Sequence, residues 1–85
     1  MKIVIATSAQ KVLQRMQPAK ALAILKVIHR VAADPTAKNN NLKPLKGVER
    51  GFRIRVDDWR VSYTLDRSID TIDVFEISPR GGAYR

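Results

Sequence analysis

Cysteine is absent from the 85 residues, and histidine occurs once. The first absence excludes a disulfide framework, a thiolate zinc site, a dithiol redox motif and a cysteine nucleophile. The second excludes any metal site or catalytic device that draws two histidines from one chain. Long hydrophobic runs are missing too. A bilayer span needs about 18 apolar residues, and the longest candidate, residues 19–33, is interrupted by Lys20, Lys26, His29 and Arg30. The opening Met1-Lys2-Ile3-Val4-Ile5-Ala6 is too short for the apolar core of a secretion signal. No membrane partner and a cytoplasmic location are therefore expected. Acidic side chains are scarce: eight Asp+Glu stand against sixteen Lys+Arg, a formal charge of +8 and a pI near 10.5. A soluble domain with that excess calls for a polyanionic partner, either nucleic acid or an acidic protein.

What remains is enough for one core. Hydrophobic residues make up 45% of the chain, too many for a disordered basic tail. A chain of this length buries only about 60% of its unfolded surface, so a single domain over residues 1–85 is expected, with a flexible tail over 79–85. Lys2-Ile3-Val4-Ile5-Ala6 is β-branched and short, as a buried strand is. Thr7 followed by Gln10 matches a capping box, so a first helix is expected with Thr7 as its cap and Val12, Leu13 and Met16 on its apolar face. Pro18 stops that helix and suits the first turn of the next. The second helix runs over 18–33. Ala21, Leu25, Ile28 and Ala32 form its stripe, widened by Ile24, Val27 and Val31, and Asp34-Pro35 ends it.

Residues 36–47 read as a polar, basic loop holding Asn39, Asn40, Asn41, Pro44 and Gly47, with Lys38, Lys43 and Lys46 as its charges. Beyond it the hydrophobic period changes from 3.6 to 2. Phe52, Ile54 and Val56 alternate with Arg53 and Arg55. After Asp57-Asp58, Val61, Tyr63 and Leu65 alternate with Arg60, Ser62 and Thr64, the pattern of a β-hairpin. Asp66-Arg67-Ser68 marks a second turn, residues 69–77 a last strand, and Pro79 the exit into the tail. The expected fold is α+β: two N-terminal helices packed on one face of a small, largely antiparallel sheet, in the order β-α-α-β-β-β.

The positive charge is concentrated. Residues 1–55 hold twelve Lys/Arg and two acids, net +10, whereas residues 56–85 hold four Lys/Arg and six acids, net −2. With Asp57-Asp58 as a two-residue turn, Arg55 faces Arg60 and Arg53 faces Ser62, and alternation gathers Arg53, Arg55 and Arg60 on one sheet face. Guanidinium forks match phosphate oxygens bidentately, so this face is the candidate anion site unless Asp57 or Asp58 curls back onto Arg55 or Arg60. Arg80, Tyr84 and Arg85 add cations and an aromatic ring of the kind that stacks on an unpaired base. Trp59 and Tyr63 read as core residues and His29 as a surface residue. Asp57, Asp58, Asp70, Asp73 and Glu76 read as turn residues and an alternating strand face rather than a metal site, so no metal and no cofactor is expected.

The ordered set Leu42-Lys43-Pro44-Leu45-Lys46-Gly47, Phe52-Arg53-Ile54-Arg55-Val56, Trp59-Arg60-Val61-Ser62-Tyr63 and Pro79-Arg80-Gly81-Gly82-Ala83-Tyr84-Arg85 resembles the RelE branch of the RelE/ParE toxin superfamily, across essentially the whole chain. The resemblance implies a RelE-like microbial RNase fold and the toxin of a type II toxin–antitoxin pair. Such a toxin cuts messenger RNA in the ribosomal A site without metal and is held by a small acidic antitoxin, through which operator DNA is also a partner. It implies catalytic roles for Arg53, Arg55, Arg60, Arg80 and Tyr84. Lys38, Lys43, Lys46, Arg50 and Arg85 are then the candidates for contact with RNA and ribosome. The sequence departs from the family in placing arginines where the best-studied members place lysines on the first strand of the hairpin. Arginine stays protonated and cannot serve as a general base. A ParE-like toxin that inhibits DNA gyrase, a non-enzymatic basic nucleic-acid-binding module, and a degenerate toxin acting only within an antitoxin complex stand as alternatives.

Overall fold

The switch of hydrophobic period divides the chain into a helical part and a strand part, and the sheet joins the two by recruiting strands from both ends. A computed structural model describes residues 1–79. Its elements are β1 (Lys2–Ile5), α1 (Thr7–Arg15), α2 (Pro18–Ala33), β2 (Leu42–Pro44), β3 (Gly51–Val56), β4 (Trp59–Asp66) and β5 (Thr71–Pro79). They form a five-stranded sheet in the order β1-β5-β4-β3-β2. β1 lies parallel to β5, and every other neighbouring pair is antiparallel. The helices pack on one face. Ala9 of α1 and Ile24, Ile28 and Ala32 of α2 are buried against Ile54, Val61, Tyr63, Leu65, Ile72, Val74 and Ile77 of the sheet, and Trp59 packs at the margin of this core. The stripe expected on α2 is thus its buried side, with Ile24 and Ile28 at its centre.

The β3–β4 hairpin has the expected register: Val56↔Trp59, Arg55↔Arg60, Ile54↔Val61, Arg53↔Ser62 and Phe52↔Tyr63. Asp57 turns the chain at φ 53°, a left-handed conformation that Asp and Asn tolerate better than most residues. Phe52 and Tyr63 stack across the strands with ring centroids 5.8 Å apart.

Three local expectations are corrected. The capping box does not form: Ala6 is the cap residue, no side chain caps the helix, and Gln10 Nε2 donates instead to the Ile5 carbonyl at 2.8 Å. The cause is the sheet. The Ala6 N–H is bound to the Val74 carbonyl at 2.9 Å, which holds Ala6 extended at the end of β1 and makes Thr7 the first helical residue. Second, the loop 36–47 contains β2, paired Leu42↔Ile54, Lys43↔Arg53 and Pro44↔Phe52. Proline is tolerated there because β2 is an edge strand. Third, β5 begins at Thr71 and not at Ile69. Asp70 takes φ 51°, and its carbonyl accepts from the Lys2 N–H at 2.8 Å, so the turn extends through it.

Between Ser62 and Tyr63 the β4–β5 register slips: Ser62 faces Glu76 and Tyr63 faces Val74, leaving Phe75 as a bulge residue. At the start of β3, Gly51 is buried where a Cβ would lie 2.5 Å from Val48 Cγ1, so only glycine fits that entry.

Candidate functional site

Because Ile54 and Val61 point into the helix-covered core, their neighbours Arg53, Arg55, Arg60 and Ser62 point to the opposite face. Across three strands the register builds a row Lys43↔Arg53↔Ser62 and, one step further along, the pair Arg55↔Arg60. With the turn preceding β2 these residues enclose a groove of about 400 Å³ lined by Asn40, Asn41, Lys43, Arg53, Arg55 and Arg60. Four of its six lining residues are cationic. Arg53 Nε donates to the Oγ of buried Ser62 at 3.3 Å, and Arg55 Nη2 donates to Asn41 Oδ1 at 3.5 Å. Both guanidinium groups are steadied by neutral acceptors. Among the described residues neither is in an ion pair, so their charge stays available to an anion. Asp57 pairs with Lys20 Nζ of α2 at 3.4 Å, tying the hairpin tip to the helix layer, and with Asp58, Lys20, Asn41 and Arg55 it lines a second depression beside the groove.

The groove gathers only some of the basic residues singled out in the sequence. Arg53, Arg55, Arg60 and Lys43 line it. Lys38 lies in a separate depression beside Leu42, Phe52 and Leu65, and Lys46 is exposed in the connection between β2 and β3. Arg50 serves the neighbouring turn: its carbonyl accepts from the Leu65 N–H at 3.1 Å. The Asp66 carboxyl there is held below the usual carboxylate range, first by its hydrogen bond from the Ser68 hydroxyl and to a lesser degree by the charge of Arg50. Arg80, Tyr84 and Arg85 lie outside the described residues. The strand that leads to them ends with Ser78 opposite Arg60 and Pro79 opposite Trp59, at the Arg55↔Arg60 end of the groove.

The groove also holds two residues that sequence reasoning passed over, Asn40 and Asn41. The triple-asparagine run reads as turn composition, and it is a turn: the Asn41 N–H donates to Asn39 Oδ1 at 2.8 Å and the Leu42 N–H to the Asn39 carbonyl at 3.1 Å. The Arg55 N–H in turn donates to the Asn41 carbonyl at 3.1 Å, which presses the turn against the arginine strand.

Two residue types able to move protons stand elsewhere. His29 is exposed on α2, in the helix layer across the sheet. Tyr63 is buried with its hydroxyl pushed up to about 12 by desolvation, so it stays neutral at physiological pH. The groove as described is lined by cationic and carboxamide side chains, with no carboxylate, histidine or tyrosine among them.

Solved structures share this architecture. The archaeal RelE–RelB complex from Pyrococcus horikoshii matches with a TM-score of 0.83 at 24% identity, over 96% of this chain and 97% of that one. The isolated Escherichia coli RelE toxin matches with 0.79 at 14% identity, over 98% and 87%. A YoeB/ParE toxin from Agrobacterium tumefaciens matches with 0.77 at 22% identity, over 94% and 99%. At such identities the likeness defines a class, the α+β fold of RelE- and ParE-type toxins. No curated protein sequence matches the chain. The model of the family described as the ParE toxin of type II toxin–antitoxin system, parDE, matches residues 3–84, and the chain belongs to that family, within the RelE/ParE toxin superfamily. No helix among the described residues is long and apolar enough to cross a membrane.

Proposed function

We propose that this toxin is a metal-independent endoribonuclease that cuts ribosome-bound messenger RNA in the cytoplasm and is neutralised by a small acidic antitoxin. The observation that carries the reading is the cationic groove: Arg53, Arg55, Arg60 and Lys43 converge on one open sheet face without a carboxylate among the lining residues. Guanidinium forks hold the scissile phosphate and stabilise the negative charge that grows on it. The ribose 2′-hydroxyl then attacks its own 3′-phosphate. The phosphorus–O2′ bond forms, the phosphorus–O5′ bond breaks, the departing O5′ takes a proton from water, and a 2′,3′-cyclic phosphate and a 5′-hydroxyl end result. Arg80, which follows β5 in the sequence, contributes further charge, and Tyr84 stacks on a base. Arginines do not accept the 2′-hydroxyl proton, so a group of the ribosome-bound RNA takes it. That requirement ties cutting to the ribosome. Antitoxin pairing is supported by fold neighbours solved as RelE–RelB complexes; the same basic face suits an acidic antitoxin, and operator DNA is reached through it.

A second reading is favoured by one observation, the match to a family named for ParE. In it the same cations bind DNA gyrase and no bond is cut. Induced expression separates the two: prompt translation arrest with cut messages supports the nuclease, whereas a DNA-damage response and filamentation before any loss of translation support gyrase inhibition.

A further inference from the structure

We infer that Ser62 is a positioning residue for the cutting reaction: its buried hydroxyl holds Arg53 by Nε, so that the two terminal nitrogens of that guanidinium are set for the scissile phosphate before the message arrives. The inference rests on the nuclease reading of the groove. It adds a residue that lies outside the groove lining and acts through one inside it.

Ser62 lies in the middle of β4 and is fully buried, although alternation places it on the sheet face that the helices leave uncovered. A hydroxyl withdrawn from water is unfavourable unless it is hydrogen-bonded. Among the described residues its Oγ has one partner, Arg53 Nε at 3.3 Å. Arginine can be held in this way and still bind. Nε carries one of the five N–H donors of a guanidinium, and the other four sit on the terminal nitrogens. Engaging Nε restrains the group and leaves its terminal fork for two phosphate oxygens. The neutrality of the acceptor matters too. Glu76 faces Ser62 from β5, yet no ion pair joins it to Arg53 among the described residues, so Arg53 is held without being neutralised. Arg55, on the same strand, is held toward the other neighbour, its Nη2 donating to Asn41 in the turn before β2. The two guanidinium groups thus lean to opposite sides of β3 while both line the groove. A long side chain ordered in advance has less freedom to lose when the transition state forms. That is how Ser62 acts on a reaction it does not touch.

The test programs ribosomes with a short message in vitro and measures two quantities, the cutting rate at saturating ribosome and the half-saturating ribosome concentration. Affinity for a short oligouridylate is measured beside them by fluorescence anisotropy, and each variant is first shown to be folded by circular dichroism. Ser62→Ala is expected to slow cutting at saturation about tenfold, as misplacement of a reacting or stabilising group does. Its half-saturation and its oligouridylate affinity are expected to change by less than about twofold, because no charge is removed. Ser62→Thr keeps the hydroxyl and is expected to restore most of the rate. Arg53→Gln combined with Ser62→Ala is expected to cut no more slowly than Arg53→Gln alone, since the hydroxyl works only through that guanidinium. A folded Ser62→Thr as slow as Ser62→Ala, or a rate loss that persists in full in the Arg53→Gln background, overturns the inference, because a purely structural role gives both. Native cutting matched by Ser62→Ala also overturns it and leaves the nuclease reading standing. Native protein that cuts no message on programmed ribosomes overturns the nuclease reading and this inference with it.

Discussion

Arg55 and Arg60 face each other across the β3–β4 hairpin, two guanidinium groups in directly opposed positions on the uncovered face of the sheet. Like charges so placed destabilise a strand pair by about 0.2–1 kcal/mol. The fold tolerates this because Arg55 is steadied by Asn41 and because the hairpin is secured from its other side by Ile54, Val61 and Tyr63 in the core.

From this opposition follows an inverse effect on stability and binding. Arg55→Gln is expected to raise the melting temperature at low salt by up to about 5 °C, a gain of order 0.2–1 kcal/mol in a domain of this size. It is also expected to weaken RNA binding. Thermal melts at low salt and at 0.5 M salt check the first part, since screening removes the repulsion and with it the gain.

Entry into the arginine strand depends on Gly51. A Cβ there meets Val48 Cγ1 at 2.5 Å and Val48 Cβ at 2.8 Å. Gly51→Ala is expected to cost about 1–3 kcal/mol by overpacking. Val48→Ala introduced with it removes the nearest of those atoms, so the pair is expected to be more stable than the sum of the single changes. Urea denaturation of the four proteins measures this coupling.

The helix layer separates stability from activity. Ile24 is 1% exposed at the centre of the α2 face, and Ile24→Ala is expected to destabilise by about 2–5 kcal/mol. His29→Ala, one turn on and exposed, is expected to change stability by less than about 0.5 kcal/mol and to leave toxicity intact. Melting curves and a growth-arrest assay on both variants are sufficient.

Alkaline stability reports on Tyr63. Its hydroxyl ionises near 10 in the unfolded chain and near 12 in the fold. The neutral form is thus favoured by folding: the contribution is complete below pH 10 and is lost as the pH climbs through 12. Two units correspond to roughly 3 kcal/mol. Tyr63→Phe is expected to flatten the fall in stability between pH 10 and 12, measured by denaturant titration across that range.

The parts of the fold that were legible in the sequence are those written in long-period pattern. The α2 stripe, ended by Asp34-Pro35, and the alternation on either side of Asp57-Asp58 each repeat a signal several times, and both the helix bounds and the hairpin register agree with it. What escaped is short or set by distant partners. β2 has three residues including Pro44, too few to alternate, and exists because Ile54, Arg53 and Phe52 offer an open edge. Thr7 and Gln10 carry the right side chains for a capping box, but Val74 binds Ala6 from the far end of the sequence and shifts the helix start. The three arginines of the groove follow from alternation alone, whereas Lys43 joins them through the β2–β3 pairing. The asparagine wall of the groove does not follow from alternation, since only the β2–β3 pairing and the bonds of Asn41 to Arg55 bring residues 40 and 41 beside the arginines.

The central claim is that the cationic groove cuts message, and mapping of messenger RNA 5′ ends after brief induction tests it most directly. Native toxin is expected to produce new 5′-hydroxyl ends inside translated codons and none in untranslated messages. Arg53→Gln and Arg60→Gln, each folded by circular dichroism, are expected to lower those ends by at least about tenfold, below the 10²–10³ typical for loss of one preorganised donor. Native toxin that stops growth without new ends, or ends undiminished in both arginine variants, would contradict the claim.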